Sequence, residues 1–186
     1  MNFLQSIAKT YLKIPENGGF FIPRFCSIII LGFLFSCNSQ PDKNYENIFS
    51  REEGDLRGIS IRSSLEEVKM GESASPKNEE SDYLFYEFKL PQQEENFTLG
   101  YSFNTKGLYE ILLDVNLKKP EDALALYLRI KENFTTRFGN PEQEDESSLV
   151  WTIKGKNSEE VEVTLSDESE GSGSGKISVS FYDLAY

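Results

Sequence analysis

Histidine is absent from this chain. Its absence removes the usual general base, the commonest metal ligand and the side chain that titrates near neutrality. Cysteine is nearly as scarce. Of the two present, Cys26 lies inside an apolar run near the N-terminus and Cys37 follows that run. A domain folded from the residues beyond Cys37 therefore has no thiol nucleophile, no cysteine zinc set and no disulfide. Positive charge is also short: 19 basic against 31 acidic residues leave a net charge of −12 over 186 residues. Nucleic-acid binders need a basic stripe and electrostatic docking on anionic lipid needs a basic cluster, so both are excluded as partners of the surface. Long apolar runs are limited to one, Phe25 to Phe35, and it falls short of the roughly 20 residues that span a bilayer. Pro23 and Arg24 block its extension toward Phe20.

What is present begins with that run. A basic residue, an apolar segment and a small residue before a potential cut are the parts of an export signal. Here they are Arg24, Phe25 to Phe35, and Ser36 ahead of Cys37. Leu34-Phe35-Ser36-Cys37 resembles the lipobox of bacterial lipoproteins. The resemblance implies cleavage before Cys37, acylation of its thiol and a membrane attachment through N-terminal lipid. Asn38 stands where an aspartate would mark inner-membrane retention, which implies the outer membrane of a cell envelope. Removal of residues 1–36 takes away Lys9, Lys13, Arg24 and Glu16, leaving 16 basic and 30 acidic residues and a net charge of −14. About 150 residues suffice for one domain with a core. Aromatic residues, 13% of the chain, can supply it, since each buried ring removes on the order of 150–250 Å² from water.

Residues 37–57 are polar, mixed in charge and without period, and read as a flexible tether. The domain is expected over 58–186. Gly58 to Ile61 is expected as a short strand. Ser64-Leu65-Glu66-Glu67 fits a capping box opening a short helix that stops at Gly71 in a left-handed conformation. Period-2 alternation then places Leu84, Tyr86, Phe88 and Leu90 on one face, and Phe97, Leu99, Tyr101 and Phe103 on one face of the next strand. Asn104-Thr105-Lys106-Gly107 supplies a turn, followed by Tyr109, Ile111, Leu113, Val115 and Leu117. Pro120 opens a long helix with Glu121 and Asp122 at its positive end. Its stripe is Ala123, Leu126, Tyr127, Ile130, Phe134 and Phe138, widened by Leu124 and Leu128, and Gly139 and Pro141 end it. Three further alternating strands carry Leu149, Trp151 and Ile153; Val161, Val163 and Leu165; and Ile177, Val179 and Phe181. Asp167 to Gly175 forms a hairpin tip.

The two halves share an order: helix, glycine stop, proline-containing acidic loop, three strands. Pro76 matches Pro141, Gly71 matches Gly139, and Ser81 to Tyr86 matches Glu146 to Trp151. A helix with a three-stranded meander cannot bury its apolar face alone, whereas two copies can. The expected fold is α+β: two tandem αβββ units, about 58–118 and 119–186, forming one continuous antiparallel sheet with both helices on one face. Ile61-Arg62-Ser63-Ser64-Leu65-Glu66-Glu67-Val68 and Phe138-Gly139-Asn140-Pro141 resemble the helix motif of small lipoproteins of the SmpA/OmlA (BamE) type. Arg62 stands where those carry glycine. Tandem β-lactamase-inhibitor proteins are similar in using this unit. The resemblance implies a non-catalytic binding role and carries over no particular binding residue.

No catalytic constellation, cofactor site or metal set emerges. The carboxylate clusters Glu142 to Glu146, Glu159 to Glu162 and Asp167 to Glu170 lack the alternating ligand spacing of a calcium loop and read as solvated loops. Ser172 to Gly175 is neither a phosphate loop nor a nucleophile elbow. The expectation is a lipid-anchored, non-enzymatic envelope lipoprotein that binds or scaffolds a protein partner. The alternative is a surface-exposed ligand-binding or inhibitor lipoprotein, its acidic loops steering a basic partner. The sheet face opposite the helices is the expected contact surface, with Tyr83, Phe85, Tyr109 and Tyr182 as partner-contact residues. Shielding of strand backbone is the simpler role for all four.

Overall fold

A computed structural model describes residues 40–186, apart from 50, 52, 92–93, 146 and 170–172. Cys37 and the apolar run before it lie outside the described residues. Three helices, α1 (Gln40–Ile48), α2 (Leu65–Gly71) and α3 (Pro120–Phe138), accompany eight strands. These are β1 (Asn78–Glu79), β2 (Tyr83–Lys89), β3 (Asn96–Asn104), β4 (Gly107–Leu117), β5 (Gln143–Glu144), β6 (Ser148–Lys154), β7 (Glu160–Asp167) and β8 (Gly175–Asp183). All pair antiparallel in one open sheet of order β1-β2-β3-β4-β8-β7-β6-β5. The fold is α+β, with a long helix packed against an antiparallel sheet. The last strands of the two meanders meet at its centre, where Ile111 faces Phe181, Leu113 faces Val179 and Val115 faces Ile177.

Period-2 alternation sets the faces. Leu84 and Tyr86, all four apolar residues of β3, and Leu149, Trp151, Val161, Val163, Leu165, Ile177, Val179 and Phe181 are buried in one continuous core. Strand β4 departs from strict alternation. A bulge opposite Ser102 and Phe103 pairs Phe103 with Leu108 and Ser102 with Glu110, leaving Tyr109 as the extra residue. Leu108 is buried and Tyr109 is not, so Tyr109 belongs to the open side. Gly107 makes the hairpin possible twice over. Its φ is +108°, and a side chain there would meet the Arg62 carbonyl.

The edges of the sheet repeat each other. The amide of Lys77 donates to Phe85 and that of Glu142 to Val150; Glu80 donates to Tyr83 and Asp145 to Ser148. Asn78 pairs with Phe85 as Gln143 pairs with Val150. Strands β2 and β6 have the same length and the same order of buried and open positions.

Helix α2 opens as its capping box requires: the Ser64 amide donates to Glu67 Oε2 at 2.7 Å while Ser64 Oγ accepts from the Glu67 amide at 3.3 Å. Its stop differs from expectation. Gly71 is the last helical residue and the chain leaves at Glu72 in extended backbone. The tip of the Ile59 side chain lies where a Cβ would stand, so a larger residue would have to displace it. Helix α3 buries Ala123, Leu126, Tyr127, Ile130 and Phe134, whose ring meets Trp151 and Phe181 edge-on. Leu124 and Leu128, expected to widen the stripe, are 51% and 54% exposed; they face away from both the sheet and the rest of the core. Trp151 Nε1 donates to the Gly139 carbonyl at 2.9 Å, satisfying an acceptor at the helix end.

The expected tether over 37–57 is largely folded. Tyr45, Ile48 and Phe49 recur at helical spacing; α1 packs on α3, with Ile48 fully buried and Phe49 edge-on to Phe134. Gly58 to Ile61 is not a strand: Ile59 forms one isolated bridge with Leu56, and both are buried with Ile61. A buried ionic knot ties this segment down. Arg57, at φ +55°, donates Nε and Nη2 to the two Glu72 carboxylate oxygens at 3.2 and 3.1 Å. Its Nη1 donates to the Ile48 and Asn47 carbonyls that end α1, and its guanidinium lies over Phe88 and Phe97. Tyr101, on β3, donates its hydroxyl to Glu72. Tyr101 is in register with Ile111 and Phe181, and Phe181 meets Phe134 of α3, so the knot sits on the sheet face that α3 covers. Polar residues are buried here because they are paired, which hydropathy alone does not reveal.

Candidate functional site

The side chains between the buried positions form the open face of the sheet, and the strand register fixes its layout. One row runs Tyr83, Ser102, Glu110, Tyr182, Glu162, Thr152. The next runs Phe85, Gly100, Leu112, Ser180, Thr164, Val150, and the third Glu87, Thr98, Asp114, Ser178, Ser166, Ser148. The middle row is mostly small, with Leu112 standing out at 39% exposure. The outer rows carry the carboxylates Glu110 and Glu162 on one side, Glu87 and Asp114 on the other. Two of these are countered locally, Glu87 by Lys77 and Asp114 by Lys176 at 3.7 Å, and Lys176 is shared with Glu168.

All four expected contact residues lie on this face, but they do not converge on one point. Tyr109 and Tyr182 meet, their rings 6.1 Å apart and nearly perpendicular. Tyr186 completes the group, stacking on Tyr109 at 4.0 Å and crossing Tyr182 at 6.2 Å. The bulge that displaces Tyr109 is what brings it there. Tyr83 and Phe85 sit three strands away on β2, about 14 Å from Tyr182 at the usual strand spacing. Tyr83 lies over Gly100, its hydroxyl 2.9 Å from where a Cβ would stand. Ser102 and Glu110, hydrogen-bonded at 3.0 Å, fill the gap between the two aromatic sites. Tyr186 escaped the sequence reading because it lies beyond the last strand; its aromatic character three residues after a strand end was the available signal.

Two of these phenols, Tyr83 and Tyr109, hold their protons more tightly than usual. Withdrawal from water raises the Tyr83 hydroxyl above its usual range, and the nearby Glu110, Glu80 and Asp114 carboxylates push the same way. For Tyr109 burial again comes first, its Ser102 hydrogen bond opposes, and Tyr186 and Glu110 add to the rise. Neutral aromatic rings beside carboxylates suit cationic side chains, held by charge and by the ring faces.

Carboxylates of the acidic loops serve turns instead. Asp145 Oδ1 accepts from the Ser147 and Ser148 amides, Glu159 Oε2 from Asn157, and Asp167 Oδ1 from Ser169. Among the described residues no group of three acidic or cysteine side chains could hold a metal ion. No described helix is long and apolar enough to cross a membrane. No protein family, curated protein or solved structure matches the chain.

Proposed function

We propose that this chain is a lipid-anchored envelope protein whose folded part binds a protein partner through the open face of its sheet. The observation that carries the binding role is the face itself: two aromatic sites, one at Tyr109, Tyr182 and Tyr186 and one at Tyr83 and Phe85, set among carboxylates on a sheet that the described residues cover on its other side. The partner presents a basic, partly apolar surface, because like charge opposite Glu110 and Glu162 would repel it. The anchor reading rests on Arg24, the apolar run and Ser36-Cys37.

The fold reading goes further than the sheet alone. The recurring edge hydrogen bonds, spaced 65 residues apart from Lys77 to Glu142 and from Phe85 to Val150, support two tandem αβββ units. Resemblance to the SmpA/OmlA (BamE) type gains one support. Arg62, standing where that motif has glycine, holds φ +74°, the region glycine favours. Its guanidinium pairs with fully buried Asp183, an interaction a glycine could not make.

Membrane capture with two variants tests the reading. Cys37→Ser should move the protein out of the membrane fraction; full retention there overturns the anchor. Tyr109→Ala with Tyr182→Ala should abolish recovery of the cross-linked partner, while Leu124→Ala with Leu128→Ala, on the exposed side of α3, should leave it. Equal recovery from both pairs overturns the face.

A further inference from the structure

We propose that the pocket between α1 and α3 binds a small organic anion, a carboxylate or phosphate head on a compact apolar body. The cavity is about 310 Å³, at the lower end of the range for small-molecule sites. Leu56 and Arg57, both buried, are its floor; Tyr45 and Phe49 of α1 line one side; Asn133, Thr136 and Arg137 of α3 line the other, with Arg51 completing the rim. None of the described lining residues is acidic, in a chain of net charge −12.

The arginines differ in how they are satisfied. Arg57 is neutralised by Glu72. Arg51 and Arg137 donate to backbone carbonyls, those of Gly71 and Gly54. A carbonyl uses one N–H of a guanidinium and does not neutralise it; Asp55 acts on Arg137 only at longer range, and among the described residues no carboxylate comes within ion-pair distance of either one. Two exposed cations with free donors thus flank a pocket walled by two stacked rings, Tyr45 and Phe49, 4.7 Å apart. A guanidinium fork matches a carboxylate or phosphate edge, and the rings accept an apolar body. A larger groove of about 860 Å³ shares Arg137 but mixes Lys154 and Lys156 with Glu53 and Asp55, so it selects for neither sign. The pocket lies on the helix side of the sheet, and its occupancy is independent of the open face.

Titration of the isotope-labelled full chain in detergent with phenyl phosphate and with benzoate, against phenol as the uncharged control, tests the site. At least one of the two anions should shift the amide signals of Phe49, Arg51 and Thr136 saturably, while phenol should not. Arg51→Gln and Arg137→Gln should each weaken binding roughly tenfold or more, the worth of a charged hydrogen bond. Both residues are exposed, so both variants should keep the wild-type melting temperature, and Lys154→Gln in the neighbouring groove should bind as wild type. Binding of phenol as tight as the anions, no saturable shift with either anion, or unchanged affinity in both arginine variants overturns the proposal.

Discussion

Two buried polar residues show how pairing and burial pull in opposite directions. Asp55 accepts from the Ile61 amide at 2.7 Å, which favours its charge, but burial dominates and raises its pKa above the usual carboxylate value; Glu159 adds to the rise and Arg137 opposes it. The folded state therefore holds this proton more tightly than the unfolded chain does. Above the folded pKa the charged carboxylate carries its desolvation cost in full. As pH falls through the folded pKa toward 3.8, the folded state takes up the proton first and gains stability relative to the unfolded chain. Asp55→Asn keeps an acceptor for Ile61 and removes the charge. Its melting temperature should exceed wild type at pH 7, and the gap should close toward pH 4 in a scan of thermal unfolding against pH. Glu72 is buried with partners, a bidentate pair with Arg57 and the Tyr101 hydroxyl. Glu72→Ala leaves the Arg57 charge buried without its partner and should cost about 3–5 kcal/mol, whereas replacing both by apolar residues of similar volume should cost much less. Denaturant unfolding of the single and double variants measures the difference.

Helices α1 and α2 mark where sequence reading works and where it stops. The capping box of α2 is local chemistry, with donor and acceptor three residues apart, and was legible from Ser64 and Glu67 alone. Ser64→Ala should lower stability by about 1 kcal/mol, a typical loss for such a cap, seen as an earlier urea midpoint. Strand faces were equally legible, because alternation is written residue by residue. Helix α1 was not. Its apolar side is only Tyr45, Ile48 and Phe49 within a polar segment, and it is held by a partner helix about eighty residues away and by Arg57 beneath its last turn. The bulge at Tyr109 escaped for a related reason: an extra residue in a strand is defined by the partner strand's register. The candidate face was thus legible as a side of the sheet, while its grouping into two aromatic sites was not. Ile48→Ala tests the corrected picture directly. A tether residue would tolerate the change, but a fully buried isoleucine should cost about 2–5 kcal/mol when truncated, with faster amide exchange across residues 43–49.

At the scale of the whole molecule, stability depends on one seam. Eight residue pairs join β4 to β8, and six inward-facing apolar residues among them, Ile111, Leu113, Val115, Ile177, Val179 and Phe181, are fully buried. Among the described residues neither meander has another partner for that edge. A chain ending before Pro120 would expose the outer side of β4, and a chain beginning there would expose β8, each a long edge rich in unpaired backbone groups. Each half would also lose core contacts that cross the seam, since the buried residues form a single cluster rather than two. The halves should therefore unfold together. Intact protein should melt in one transition with calorimetric and van't Hoff enthalpies equal, and Leu113→Ala should destabilise both halves by the same amount, reported alike by Trp151 fluorescence in one half and by amide exchange at Leu84 and Tyr86 in the other. Fragments 40–118 and 119–186 should each lack a cooperative transition alone and regain one when mixed in equal amounts. A fragment that melts cooperatively by itself, or two separate transitions in the intact chain, would mean that each unit buries its own core and that the seam only docks two finished domains.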